Sequence, residues 1–479
     1  MPESSLCHHS HGDESDSPLG RTITAVDWNA VASIACRLLE VSDCRWGSQF
    51  SGGFNVVRFL HMDNENSTVL VVRVPYRPAE GWTAENSKAF ADRLASEVAT
   101  MQYVRANTSI PVPRIIHHNI EVDSDGVGSP YMIMTKVDGV ALSSIWDDME
   151  DSKREIILRQ VVDILLELAS QRFDKLGSLF QQESHTDPKN AWYIGPTTFG
   201  PDYTKALPAS LFKTFTSIVD YWITYTNTEL KSICDTRFGD AYKIHDYGHM
   251  WFLRSLIPAL YDPSLDITGF PLCPGDFHSQ NIMIVDADTS PRISAVIDWE
   301  FSGTNGTSSF ANYPLFIVDH PMWEVDHPLR ARNIRDQATF NCLMREAERK
   351  KDPTGDLPLS HAFERCEGVY MFEQCIQFPI MFGLYPQLFA RIYGADEDSD
   401  FTMEYHLALI ENGILKKEAQ QFKAEAEVWK EALNTLGSEL VSKNMSRTEF
   451  RIVVQNHVDR FPKGELVRNW LAATPEQHL

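Results

Sequence analysis

The spacing of apolar residues changes along this chain, and the changes divide it. Over residues 28–40 apolar positions recur at helical spacing, whereas residues 45–60 read as strand, glycine turn, strand, with Ser51-Gly52-Gly53 at the turn. Residues 68–74 form a third strand, in which Val69, Val71 and Arg73 share a face. A long helix is predicted over residues 86–106, with Phe90, Leu94, Met101 and Val104 on one stripe. Glu97 lies on that stripe, and an inward carboxylate is unfavourable unless paired, so it is expected to meet a cation from the sheet, with Arg73 the candidate. Pro111-Val-Pro113 ends the helical region. The apolar run from Tyr131 to Thr135 then reads as a buried strand that ends in the polar link Lys136-Val137-Asp138-Gly139.

Further on, Ile156, Ile157, Val161, Leu165 and Leu168 make one strongly apolar helical face, the expected core helix of a larger lobe. Residues 187–268 are aromatic and weakly periodic, with helices expected near 207–232 and 247–260. Residues 281–285 and 292–297 are β-prone runs separated by turn chemistry, which predicts a hairpin. The Gly/Ser/Thr-rich residues 302–309 read as a flexible segment, and 337–351, 363–382, 401–436 and 450–461 as helices. The mixed charges of 416–430 suggest a solvated face, and Asp319, His320, Glu324, Asp326 and His327 a polar loop, since their spacing fits no zinc pattern.

The hairpin carries the candidate chemistry. If Val285 opposes Arg292, antiparallel pairing sets Asn281 opposite Val296, so Asn281 and Asp298 emerge together at the open end, within roughly 7–8 Å. Asp276 stands five residues before Asn281. An Asp, an Asn five residues on and a second Asp after the next strand are what phosphoryl transfer needs: one carboxylate orients a hydroxyl and takes its proton, while the Asn and the other Asp hold Mg²⁺.

The run Pro274-Gly275-Asp276-Phe277-His278-Ser279-Gln280-Asn281, followed by Ile297-Asp298-Trp299-Glu300, resembles the His-Gly-Asp-x-His-x-x-Asn and Ile-Asp-Trp signatures of the aminoglycoside phosphotransferase and choline kinase family. Two departures stand out: Pro274 replaces the first His, and Arg73 falls where kinase-like proteins carry a phosphate-binding Lys, for which a planar, forked side chain is not a neutral exchange. The resemblance implies an α+β, protein-kinase-like fold of two lobes, a small antiparallel sheet plus helix over a larger, mainly helical lobe. It implies ATP and Mg²⁺ as cofactors and a small hydroxylated molecule as phosphate acceptor. Asp276 is then the catalytic base and Asn281 and Asp298 the metal ligands. Ser51, Gly52 and Gly53 cover the nucleotide, Arg73 steadied by Glu97 holds phosphate, and Met134, Thr135 and Val137 line the adenine at the link between lobes. The expected domains are a disordered leader (1–25), an N-terminal lobe (26–137), a C-terminal catalytic lobe (138–410) and a helical extension (411–479). The alternative, favoured by Pro274 and Arg73, is a kinase-like protein that binds nucleotide or a partner without transfer. A protein kinase fits less well, because no Ala-Pro-Glu-like anchor follows Ile-Asp-Trp.

Composition narrows the setting. A formal charge of −23 and the lack of a basic stripe argue against nucleic-acid binding. The eight cysteines form no CxxC pair, so neither zinc nor a disulfide framework is indicated, and reduced thiols with no apolar run near 18 residues point to a cytoplasmic protein without a membrane span. His8, His9, His11 and Asp13 could bind metal adventitiously, but a disordered leader is the expectation there.

Overall fold

The computed structural model describes residues 17–473 apart from 123, 183–190, 202–206, 237–242, 321–322, 325, 356–357, 378–383, 394–403, 405–407, 409, 411 and 443–444. The chain forms two units interleaved along the sequence, Met1–Phe199 with Thr268–Val318 and Ala331–Ser360, and Gly200–Ile267 with Asp319–Arg330 and His361–Leu479. His8, His9, His11 and Asp13 lie outside the described residues.

In the first unit, strands β1 (Cys44–Ser51), β2 (Asn55–Met62), β3 (Val69–Pro75), β4 (Ile115–Asn119) and β5 (Tyr131–Thr135) form an antiparallel sheet in the order β1-β2-β3-β5-β4. Leu70, Val72 and Val74 of β3 point into a core shared with Val31, Ile34 and Ala35 of a helix over Trp28–Leu39. Strand alternation therefore turns Val69, Val71 and Arg73 to the opposite face. Of the expected disordered leader, the part that is described is ordered: Pro18–Ala25 is helical, started by Ser17, whose hydroxyl accepts the Gly20 N–H, and by a proline at the position that needs no donor. Ala84–Asn107 is the long helix, opened by a capping box in which Thr83 and Asn86 satisfy each other's backbone N–H groups, and it buries Glu97, Met101 and Val104.

Beyond β5 the chain makes β6 (Val140–Ala141), the core helix Asp151–Ser170, β7 (Arg172–Phe173), a hairpin of β8 (Ser178–Gln181) and β9 (Trp192–Gly195), then β10 (Phe270–Cys273), β11 (Ile282–Val285), β12 (Arg292–Val296) and β13 (Gly303–Thr304). Ile157, Leu158, Val161, Val162, Leu165 and Leu168 form the buried face of the core helix, while Ile156 is 40% exposed, so the apolar arc turns away from the residue expected to begin it. Residues 302–309 are not the flexible segment their composition suggests. Gly303 and Thr304 pair with β10, Thr304 Oγ1 donates to the Lys175 carbonyl (2.7 Å), and Ser302, Thr307 and Ser308 are buried. Their small side chains serve close packing: a Cβ on Gly303 would lie 2.6 Å from the Gly177 carbonyl oxygen.

The expected hairpin forms with Val285 opposite Arg292, but Asn281 is not opposite Val296. A β-bulge leaves Ser294 without a partner, so Ile282 faces Val296 and the Ile297 N–H donates to the Asn281 carbonyl (2.9 Å). The bulge is fastened by its own side chain, since Ser294 Oγ donates to the Asp138 carbonyl at 2.6 Å, tying the hairpin to the link after β5.

The second unit is helical, with elements that include Ile218–Thr236, Lys243–Leu260, Glu367–Gln377, Leu384–Tyr393, Lys416–Leu436 and Arg447–Asn456. Trp222 lies in its core, edge-on to Phe372 at 5.2 Å. The face over 416–430 is not wholly solvated: Glu425 is buried, pairs with the buried Lys243 (2.9 Å) and meets Arg447. A helix the periodicity did not announce, Gly464–Ala473, packs Val467 and Trp470 against Trp429 and Phe450. Among the described residues no helix is long and apolar enough to cross a membrane.

Gly139 sits at φ +114°, and a Cβ there would lie 2.4 Å from the Ile284 carbonyl oxygen of β11. Gly139→Ala is expected to cost at least about 1–3 kcal/mol from the backbone conformation alone, read as a lowered urea midpoint at unchanged m.

Candidate active site

Two groups of side chains stand on the segments at the open end of the β11–β12 hairpin, where the Ile297 N–H donates to the Asn281 carbonyl. The first is the loop from β10 to β11. Gly275 has no room for a side chain, since a Cβ would lie 2.2 Å from the Phe301 carbonyl carbon, and its N–H donates to Ser302 Oγ at 3.1 Å. This contact presses the loop onto the segment that follows Asp298. Asn281, 7% exposed, donates from Nδ2 to the Asp276 carbonyl (3.0 Å) and to Asp276 Oδ2 (3.2 Å). With its nitrogen turned to Asp276, its amide oxygen faces the other way. His278 Nδ1 accepts the Gln280 N–H (3.1 Å), so a neutral ring carries its proton on Nε2, which lies 3.2 Å from Asp276 Oδ2. Asp276 is thereby oriented by an amide and an imidazole, with 39% of its side chain exposed. Beyond Pro274 the loop is closed by its own backbone: the His278 N–H donates to the Asp276 carbonyl (3.1 Å) and the Asn281 N–H to the His278 carbonyl (3.0 Å).

The second group is built around Arg73. Its Nη1 donates to Glu97, its Nη2 donates to Glu300 and lies 3.0 Å from Asp298 Oδ1. The expected pair of Arg73 and Glu97 is therefore present, and two further carboxylates join it. Asp298 adopts φ +59°, a left-handed conformation unusual for a residue with a side chain. Trp299, 1% exposed, fixes the turn by donating its indole N–H to the Val296 carbonyl (3.1 Å). Asp298 Oδ1 is buried and accepts no hydrogen bond of good geometry, only the ion-pair contact with Arg73. Burial disfavours the Arg73 charge, but Glu97, Asp298 and Glu300 outweigh it and hold the guanidinium above its ordinary value. Burial pushes the Glu97 carboxyl up from 4.5 to about 8 against the pull of Arg73, and the charges of Asp298 and Glu300 push the same way. Three acids thus share one guanidinium.

The remaining expected residues surround these groups. Ser51, Gly52 and Gly53 form the turn from β1 to β2, where a Cβ on Gly53 would meet nothing within 4 Å. Met134 is buried at the end of β5, and the Thr135 N–H is already committed to the Arg114 carbonyl (2.9 Å), so its carbonyl and Val137 carry whatever that edge offers a ligand. Sequence reading passed over Glu300 and Asn55. Asn55 Nδ2 donates to Glu300 Oε2 at 2.9 Å, and Phe54 meets Phe301 edge-on at 5.3 Å, so the strand leaving the glycine turn is tied to the residues after Asp298. The available signal was position: each polar residue stands two places beyond an expected site residue, Gly53 or Asp298.

The model of the phosphotransferase enzyme family (APH) matches residues 46–200. The chain is 30% identical over 149 residues to altered inheritance of mitochondria protein 9, mitochondrial, of Candida tropicalis, covering 27% of this chain and 23% of that protein. It is 29% identical over 132 residues to a subtelomeric hrmA-associated cluster protein of Aspergillus fumigatus, covering 28% and 24%. The match thus spans about a quarter of these relatives' length. The expected cytoplasmic location is overturned by the relatives named mitochondrial, because scattered thiols and missing apolar runs do not distinguish one reducing compartment from another. Among solved structures, a putative aminoglycoside phosphotransferase from Ralstonia eutropha is 17% identical with a TM-score of 0.45, covering 84% of this chain and 99% of that one. The streptomycin-ATP-APH(2")-IIa ternary complex is 12% identical with a TM-score of 0.41, covering 78% and 98%. The chain has a protein-kinase-like fold, and over residues 46–200 it carries the pattern of the phosphotransferase enzyme family.

Proposed function

We propose that this protein is an ATP- and Mg²⁺-dependent phosphotransferase acting on a hydroxyl of a small molecule. The observation that carries the reading is an oriented carboxylate, Asp276, bonded to the Asn281 amide on one arm of a hairpin whose other arm leads into the Asp298–Arg73 pair. Asp276, steadied by Asn281 and His278, orients the acceptor hydroxyl and takes its proton as the oxygen attacks the γ-phosphorus and the bond to the β-phosphate oxygen breaks. Arg73 neutralises charge on the phosphates, the turn at Ser51, Gly52 and Gly53 covers them, and Met134, Thr135 and Val137 line the adenine. Among the described residues no three His, Cys, Asp or Glu side chains form a self-contained metal cage. Two hard oxygens, Asn281 Oδ1 and the under-partnered Asp298 carboxylate, instead suit Mg²⁺, which is commonly held by one or two protein ligands together with substrate phosphates. When bound, Mg²⁺ would offset charge on the β- and γ-phosphates. ADP release across a panel of hydroxylated metabolites identifies the acceptor.

One observation favours the rival, a nucleotide binder without transfer: both amino groups of Arg73 already hold carboxylates. Titrating ATP with and without Mg²⁺ separates the two, since metal-dependent binding followed by ADP formation supports the enzyme and metal-indifferent binding without turnover supports the binder. Asp276→Asn is expected to lower kcat by about 10²–10⁴ with ATP affinity little changed. Asp298→Ala is expected to abolish turnover, and retained activity would remove it from the metal site.

Glu97 yields a pH prediction. The folded protein holds a proton there that the unfolded chain releases between 4.5 and about 8, so this group's contribution to stability falls as pH rises through that window. The slope is at most about 1.4 kcal/mol per pH unit for one proton, and Glu97→Gln should remove it, checked by urea midpoints across the window.

A further inference from the structure

Arg73 poses a problem for any phosphate that is to bind it. Nη1 is held by Glu97 and Nη2 by Glu300 and Asp298, so a phosphate must displace a carboxylate. Asp298 has an exit, because a cation at the open end of the hairpin would draw it away. Glu300 has none there: it is 7% exposed and held on Oε2 by Asn55 Nδ2 as well as by Arg73. A buried carboxylate that lost its cation would be strongly disfavoured unless another took its place.

Such a cation is present. Arg93, one helical turn before Glu97, lines the same small cavity as Asn55, Arg73, Glu97 and Glu300. Its guanidinium lies 5.3 Å from the Phe301 ring centre and 5.5 Å from that of Phe90, which keeps it over the residue next to Glu300. Its Nε is buried with no hydrogen-bond partner, an arrangement that needs an acceptor to be complete. Glu300 thus stands between a filled seat at Arg73 and an incomplete one at Arg93.

We propose that Glu300 is a gating carboxylate that competes with nucleotide phosphate for Arg73, and that Arg93 is the positioning residue that receives Glu300 when phosphate arrives. This rests on the reading of Arg73 as a phosphate ligand. It goes beyond that reading in giving affinity for nucleotide an internal competitor. Because Asn55 follows the glycine turn, movement of Glu300 also releases or tightens the turn over the phosphates.

The test is ATP binding by the full chain in EDTA, followed by titration calorimetry, for wild type, Glu300→Gln, Arg93→Gln and the double variant. Glu300→Gln keeps an acceptor and a shape close to the original but loses the competing charge, and should bind ATP about tenfold more tightly. Arg93→Gln should bind about tenfold more weakly, and that penalty should largely vanish in the Glu300→Gln background, because the seat is then no longer needed. Unchanged or weaker binding by Glu300→Gln overturns the gate, and so does an Arg93→Gln penalty of equal size in both backgrounds. Should Glu300→Gln fail to fold, Glu300→Asp, which retracts the charge from Arg73 by one methylene, must tighten binding or the gate falls. If wild type binds ATP and the variants behave alike, only the gate is lost. If neither wild type nor Glu300→Gln binds ATP with or without Mg²⁺, the nucleotide reading falls with it, whereas binding gained by Glu300→Gln alone supports the gate.

Discussion

A guanidinium taken out of water is the constraint around which the first unit is arranged. Arg73 is 7% exposed, and its partners come from a helix 24 residues on and a turn 227 residues on. An ion pair so deeply buried adds little net stability over a well-packed apolar core, yet removing one partner is costly because a bare charge remains. Its effect is on uniqueness of arrangement. The strand carrying Arg73, the helix carrying Glu97 and the turn carrying Asp298 and Glu300 have to stand in one relation for the charges to be compensated, and that relation brings Asp298 beside Arg73 at the end of the hairpin.

The backbone is fitted to the same end at a few special places. The bulge at Ser294 advances Asn281 by one residue relative to β12, so that Asp298 begins one residue past its cross-strand neighbour, where an unbroken ladder would leave two. The left-handed turn at Asp298 then redirects its side chain toward Arg73, and the bare backbone of Gly275 lets the Asp276 loop press against the carbonyls of Phe301 and Glu300. Strain and close approach of this kind persist only where surrounding contacts over-determine them. Here the indole of Trp299, the hydroxyl of Ser302 and the hydroxyl of Ser294 do so.

Much of this was legible in the sequence, and what was not has a common cause. Period-2 and period-3.6 patterns located the sheet, the Glu97 helix, the core helix and the hairpin, because burial of one face is a repeated signal. A bulge adds a single residue, and a repeat-based reading has no term for it, so Asn281 was set one position out. Residues 302–309 were read as flexible from their small polar side chains, but Thr304 and Thr307 use their hydroxyls on the Lys175 carbonyl and on Arg172, which lets a polar segment be buried. The same applies to Glu425, whose charge looked solvated along its own helix until Lys243 and Arg447 faced it. Partnership across hundreds of residues is invisible to local periodicity.

The two departures from the family's pattern can be weighed in these terms. Pro274 removes a side chain that could brace the Asp276 loop, and the bracing comes instead from Ser302, from the Gly275 contact and from the amide and imidazole on Asp276. Arg73 in place of a lysine is a change of geometry more than of charge. A lysine ends in one nitrogen, a compact point charge, whereas the planar fork offers Glu97 one nitrogen and Glu300 with Asp298 another. The arginine and the extra carboxylate therefore fit each other: the fork gives the buried Glu300 a direct cation beside the Asn55 amide, and Glu300 gives one arm of the fork a second acid beside Asp298.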